Sequence, residues 1–247
     1  MSSRRKSLIT SAFDRADGYD ANARVQRVAA DRLAEAIAGV APDPRLAALE
    51  IGCGTGFLTE RLAALSLNLT VTDIAPRMLD RVRARLGQEA GITYRLLDGE
   101  QPGSPPPGGW GLIASSLAFQ WFEHPAEAIA RLVATLAPGG WLAFTTLGPK
   151  SLSEWSTALA GAGLGGITRT YPDPAEICPP NALITRYTLV DDHADGLAFL
   201  RALRAIGAAT SWNGTAAPTG LRRAIAAFEA GGARASYDIA QILIQRA

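Results

Sequence analysis

The chain has 247 residues, 48% of them apolar and 19% charged, with a net charge of +1. That apolar share supplies a large core. The near-zero charge gives no global field for nucleic acid, and no run approaches the roughly 18 apolar residues of a membrane span. Two cysteines, Cys53 and Cys178, make neither a disulfide framework nor a C-x-x-C metal spacing, and the two isolated histidines, His124 and His193, sit in polar contexts that give no ground for a metal. A reducing, cytosolic setting follows.

Residues 1–10 are polar and basic and read as a frayed start; no apolar segment follows Arg4-Arg5-Lys6, so no signal peptide is expected. Val25, Val28, Ala29, Leu33, Ala36 and Ile37 form one stripe of a helix over 23–38. Asp14 and Asp20 read as helix-entry caps. Pro42-Asp43-Pro44 is a turn, and the apolar run 46–51 is a buried strand. Gly52-Cys53-Gly54-Thr55-Gly56 then leads into a helix beginning at Phe57. Glycine tolerates positive φ and lets ligand atoms approach the backbone, and free N–H groups of the next helix point into the turn. This makes a binding notch at a strand's carboxyl end; the plain alternative is an ordinary strand–helix turn.

A second strand, 68–73, ends in an acid, Asp73, 21 residues after Gly52. At that spacing a carboxylate can accept hydrogen bonds from ribose hydroxyls; capping the helix that starts near Pro76 is its other reading. A dinucleotide loop would read G-x-G-x-x-G/A, whereas here position 57 is Phe. Met78, Leu79, Val82 and Leu86 mark the inner face of the following helix, which Gly87 ends. Strands follow at 92–96 and 112–116, with a Pro/Gly-rich surface loop at 102–109 between them. A helix runs from Pro125 to about 136, Pro138-Gly139-Gly140 turns, and a fifth strand covers 141–146. Five apolar strands alternating with helices require a parallel sheet covered on both faces, with ligands at the strands' carboxyl ends. Beyond Thr146 the pattern changes. Short helices at 153–159, 194–206 and 221–230 are interleaved with strands at 182–190 and 236–245, and the Gly/Pro-rich segment 161–180 has no assignable element.

The loop in the form E-x-G-x-G-x-G resembles motif I of class I S-adenosylmethionine-dependent methyltransferases. Four further stretches narrow the resemblance: 12–16 with Tyr19, Asp20 and Gln26; 115–122, containing Phe119-Gln120-Trp121; 144–152, containing Thr145-Thr146-Leu147-Gly148-Pro149; and 200–208. Together they are similar to the malonyl-acyl-carrier-protein O-methyltransferases of biotin synthesis, the BioC family, over about 12–245. Ser116 stands where family members often carry Asn. The resemblance implies an α/β fold: a doubly wound, mostly parallel seven-stranded sheet, Rossmann-like, with an antiparallel C-terminal strand pair and a helical cap. It implies one methyltransferase domain over 1–247, comprising an N-terminal helical segment (1–40), a cofactor-binding core (45–147) and a cap with the closing strands (148–247). It also implies S-adenosyl-L-methionine as cofactor, bound by Glu50, Gly52, Cys53, Gly54, Gly56, Asp73, Ile74, Met78, Asp98, Gly99 and Ser115.

The implied reaction is methylation of the free carboxylate of a malonyl thioester, carried on acyl-carrier protein or CoA. No general base is needed, because the sulfonium donor is activated and the acceptor is ionised. A carboxylate drawn from water needs a cation: Lys150, Arg186, Arg201 and Arg204 are candidates. Tyr19, Phe119, Gln120 and Trp121 are candidates for the pocket wall, with core packing the alternative for Phe119 and Trp121. Arg4-Arg5-Lys6 and Arg222-Arg223 could meet an acidic carrier; nucleic-acid and membrane partners are not expected. Other readings stay open: an aconitate- or quinone-type methyltransferase, a non-catalytic nucleoside-binding protein, or a nicotinamide dehydrogenase.

Overall fold

The computed structural model describes residues 3–16, 18–65, 68–87, 91–208 and 218–247. In chain order the elements are α1 (Arg4–Asp14), α2 (Tyr19–Asn22), α3 (Arg24–Val40), β1 (Ala47–Ile51), α4 (Phe57–Ala63), β2 (Asn68–Asp73), α5 (Pro76–Leu86), β3 (Ile92–Leu96), β4 (Trp110–Ser115), a 3-10 turn (Phe119–Trp121), α6 (Pro125–Thr135), β5 (Leu136–Leu147), α7 (Ser153–Gly161), α8 (Pro174–Ile177), β6 (Leu183–Asp192), α9 (Gly196–Ala205), α10 (Pro218–Ala230) and β7 (Arg234–Gln245). The strands form one seven-stranded sheet in the order β3-β2-β1-β4-β5-β7-β6. The first five are parallel, with Glu50 opposite Val71 and Leu49 opposite Ile113. The two C-terminal strands are antiparallel, as expected. No helix among the described residues is long and apolar enough to cross a membrane.

Two compact units divide the chain, and neither is contiguous. The larger gathers Gln26–Thr146, Asp173–Arg186 and Ala240–Ala247; the smaller gathers Met1–Val25, Leu147–Pro172 and Tyr187–Ile239. The division at 40 and 147 suggested by the sequence therefore separates residues that pack together.

In the larger unit β4 is buried along its whole length, as a central parallel strand with both faces covered must be. Leu49, Ile113, Leu132, Leu142 and Phe144 meet in its core. Phe119 belongs to that core, stacked between Phe122 and Phe144 at centroid distances of 4.5 and 4.0 Å, so it does not line a cavity. Strand β5 starts at Leu136, earlier than the Pro138-Gly139-Gly140 turn signal implies. Gly139 N–H donates to the Arg246 carbonyl and Arg246 N–H to that of Gly140, which carries the pairing through the proline.

The smaller unit is centred on Trp155, fully buried, with Phe199 and Phe228 edge-on at 5.5 and 5.6 Å. Residues 4–10 are helical, not frayed: the Ser3 hydroxyl accepts from Lys6 N–H and caps α1. Lys6 is buried, which removes it from any surface patch. Asp14 closes α1 and Asp20 lies inside the first turn of α2, so neither is an entry cap. Met1 and Ser2 lie outside the described residues.

Candidate active site

The glycine loop leaves β1 through residues that only glycine accommodates. Gly52 has φ +68°, and a Cβ there would lie 2.6 Å from that of Ala118; Gly56 has φ +99°, with Val82 Cγ2 2.7 Å from the site of its missing Cβ. Cys53 N–H extends the sheet by donating to the Thr72 carbonyl at 2.9 Å. The Cys53 thiol is buried; desolvation, and then the charges of Asp73 and Glu50, hold its pKa far above the usual range, so it stays protonated.

Asp73 is the hub of the notch. It is 7% exposed. One carboxylate oxygen accepts from Gly54 N–H at 3.0 Å and the other from Ala75 N–H at 2.8 Å. The capping reading is thus met only as a local turn, because α5 begins after Ala75 with no side-chain cap. Each oxygen keeps acceptor capacity beyond these bonds. Beneath the loop, Glu50 is 1% exposed and its Oε2 has no hydrogen-bond partner. Burial, helped by the nearby Asp73 charge, raises its pKa to about 8. A buried carboxyl oxygen without a partner is unfavourable unless a ligand completes it. A carboxylate, Asp73, and a second acid, Glu50, that a cation would ionise, beside a cradle closed to any Cβ, fit a nucleoside ligand that carries hydroxyls and positive charge.

The remaining residues expected at the cofactor lie in the same unit. Ile74 follows Asp73 half-buried, and Met78 packs inward from α5. Asp98 is half-buried and accepts from Glu100 N–H at 3.1 Å, with Gly99 between them. Glu100 in turn accepts from Glu123 and His124 N–H and ties this turn to the start of α6. Ser115 is fully buried and its hydroxyl donates to the Ile51 carbonyl at 2.8 Å, so its side chain locks β4 to β1.

After β4 the chain turns sharply. Leu117 has φ +49° and is held there by Thr145, whose hydroxyl accepts from Leu117 N–H at 3.0 Å. Ser116 and Thr145 hydroxyls also meet at 3.3 Å. Gln120 is 8% exposed; its amide nitrogen donates to the Leu117 carbonyl at 2.5 Å, which leaves Oε1 as a buried acceptor with no donor. Trp121 beside it is half-buried. Backbone strain of this kind gathers at functional sites.

In the smaller unit, the loop after β5 is stapled to β7. Gly148 N–H donates to the Asp238 carbonyl at 2.7 Å, Lys150 N–H to Asp238 Oδ2 at 3.3 Å, and Leu152 N–H to the Ser236 carbonyl at 2.6 Å. Lys150 itself is exposed. Tyr19 opens α2, which packs on α9, the helix that carries Arg201 and Arg204. Both arginines are exposed, and Arg201 lies 3.7 Å from Asp195. Arg186 belongs to the larger unit, where Asp173 neutralises it. Of the expected docking arginines, Arg4, Arg5 and Arg222 are exposed, and Arg223 donates to the Ala162 carbonyl at 3.1 Å. Sequence reasoning missed Thr145 and Asp238, whose roles depend on partners 28 and 88 residues away.

The parallel sheet, the notch at its carboxyl edge and the paired acids define a class I methyltransferase. Residues 49–142 match the family described as "Methyltransferase domain". The magnesium protoporphyrin IX methyltransferase of Synechocystis PCC 6803, solved with bound SAH, has the same fold, at a TM-score of 0.55 and 17% identity over 92% of this chain and 86% of that one. Sequence likeness then narrows the class. A malonyl-[acyl-carrier protein] O-methyltransferase of Magnetococcus marinus is 34% identical over 83% of this chain and 78% of its own length. The biotin biosynthesis bifunctional protein BioCD of Bordetella avium is 44% identical over 81% of this chain, which spans 43% of that protein. The chain belongs to the malonyl-[acyl-carrier protein] O-methyltransferase family.

Proposed function

We propose that the protein transfers a methyl group from S-adenosylmethionine to the free carboxylate of a malonyl thioester, with acyl-carrier protein as the carrier, in biotin synthesis. The observation that supports this most is the carboxylate notch. Asp73 is anchored by two backbone N–H groups, and Glu50 lies buried beside it with an oxygen that lacks a donor, in a chain of this family.

Bound S-adenosylmethionine supplies a methyl group already activated by its sulfonium. The side chains therefore have little proton transfer to perform. Asp73 accepts from the ribose hydroxyls, Glu50 releases its proton to solvent and ionises when a cationic ligand binds beside it, and Asp98 accepts from the adenine amino group. Ile74, Met78 and Gly99 supply apolar and backbone surface. Gln120 and Trp121 keep water from the transferring methyl group. Tyr19 and Lys150 bear on the anionic acceptor, and the exposed Arg201 and Arg204 on an acidic carrier. Catalysis then rests on alignment, which can lower a barrier by about 7–11 kcal/mol.

The test is incubation with labelled S-adenosylmethionine and, separately, malonyl-acyl-carrier protein, malonyl-CoA and free malonate. Label should appear as a methyl ester on the carrier-borne malonyl group. If no malonyl thioester takes up label while S-adenosylhomocysteine still binds, the acceptor assignment is wrong.

A further inference from the structure

Within the smaller unit, the loop after β5, the start of α7 and residues 168–171 enclose a cavity of about 220 Å³. Its wall has a consistent chemistry. Six serine and threonine residues line it, among them Ser156, Thr157, Thr168 and Thr170, together with Trp155, Tyr171 and Arg169. No Asp or Glu is among the lining residues. Hydroxyls can donate or accept, so they alone do not choose a sign. The guanidinium can only donate, and with no carboxylate in the wall it favours an anion.

We propose that this cavity is an oxyanion-binding subsite, with Arg169 as its cation and the hydroxyls of Ser156, Thr157, Thr168 and Thr170 as additional donors. Its volume is below the roughly 300–1,000 Å³ of pockets that enclose whole ligands, so it takes a charged end group. Arginine suits this position because its fork meets two oxygens of a carboxylate or phosphate at once. Arg169 also differs from the cations singled out in the sequence. It is half-buried in a cavity wall, whereas Lys150, Arg186, Arg201 and Arg204 are exposed. Tyr171 beside it is 9% exposed; burial raises its phenol pKa, so it remains a neutral donor.

Two parts of the proposed substrate offer this chemistry: the malonyl carboxylate and the phosphate of the carrier arm. Naming either rests on the methyltransferase reading; the anion subsite itself does not.

The experiment uses the full chain, unaltered and as Arg169→Met, Arg169→Lys and Ser156→Ala. Calorimetric titration with malonate and with inorganic phosphate should show binding that Arg169→Met weakens about tenfold or more, that Arg169→Lys weakens less, and that Ser156→Ala weakens by a few-fold. Affinity for S-adenosylhomocysteine and the melting temperature should not change. Should Arg169→Met fail to fold, Arg169→Lys and Ser156→Ala carry the comparison. KM is then measured for malonyl-CoA and for a malonyl thioester of N-acetylcysteamine, which has no phosphate. A rise with both acceptors assigns the subsite to the carboxylate; a rise with malonyl-CoA alone assigns it to the phosphate. Anion binding and both KM values unaffected by any Arg169 variant would overturn the subsite. If the unaltered chain esterifies no malonyl thioester but still binds anions through Arg169, the reaction is wrong and the subsite stands.

Discussion

The two units answer opposite electrostatic demands. The larger has twelve Lys and Arg against fourteen Asp and Glu; the smaller has twelve against nine. In the larger, the notch is built from the glycine loop and two buried acids, Glu50 and Asp73. In the smaller, a cavity lined by hydroxyls and Arg169 contains no acid. A sulfonium donor and a carboxylate acceptor need these two environments kept distinct. Mixing them would leave each ligand charge beside its own sign, and close like charges are costly in a low-dielectric site. Variants should therefore separate into those that harm cofactor binding and those that harm acceptor binding.

The largest expected effect is at Asp73. Asp73→Ala removes the acceptor of both Gly54 N–H and Ala75 N–H along with the proposed ribose contact. Three interactions with one ionised group should cost about 3 kcal/mol or more together, so affinity for S-adenosylhomocysteine should fall by a hundredfold or more in calorimetry. Malonate binding to the smaller unit should be unaffected. Unchanged cofactor affinity would remove Asp73 from the site.

Asp238 should give the converse. Its carboxylate holds Lys150 N–H, and its main chain pairs with Gly148 and Ser151. Asp238→Ala leaves that loop without one charged anchor, at a cost of about 1.5–3 kcal/mol and several degrees in Tm. KM for the malonyl thioester should rise while cofactor affinity holds. A variant that instead loses cofactor binding would contradict the separation of roles.

The two units were also unequally legible in the sequence. The glycine loop, the Asp73 spacing and the five-strand alternation are local patterns, and the fold carries them at the expected residues. Glycine at 52 and 56 has a backbone reason that a reader can find within a few positions. The smaller unit depends on pairs far apart in the chain, such as Ser151 with Asp238 and Glu154 with Ser236. Periodicity cannot show such pairs, and a Gly-rich stretch around 161–170 hides Arg169 altogether. The basic run at 4–6 misled for a similar reason: Lys6 is buried by tertiary packing that composition does not reveal.

Glu50 gives a smaller, pH-dependent contrast. Its folded pKa, about 8, lies above its ordinary 4.5. Between those values the folded chain holds a proton that the unfolded chain has released, so stability falls as pH rises through this window and levels off above about pH 8. Glu50→Gln should abolish that decline and melt higher than the unaltered chain at pH 8–9, where each kcal/mol is worth about 2–4 °C. Its cofactor affinity should be lower and no longer rise with pH, since a cationic ligand favours the ionised carboxyl that Gln cannot supply. Parallel melting profiles across pH 5–9 would mean that Glu50 is not the titrating group.

The smallest expected effect is at Arg201. Its side chain is 69% exposed, and its contact with Asp195 is 3.7 Å long. Such surface pairs are worth about 0–1 kcal/mol, and Asp195 already caps α9 by accepting from Ala198 N–H at 2.5 Å. Arg201→Ala should therefore shift Tm by no more than a few degrees. If the excess of basic residues in this unit serves an acidic carrier, its removal acts on encounter and not on chemistry. KM for malonyl-acyl-carrier protein should rise a few-fold at low ionic strength, and the difference should shrink toward 0.5 M salt, where surface charges are screened. The N-acetylcysteamine thioester, with no carrier to steer, should be turned over at the original rate throughout. A KM increase of equal size on that small acceptor would place Arg201 at the substrate carboxylate, alongside or in place of Arg169.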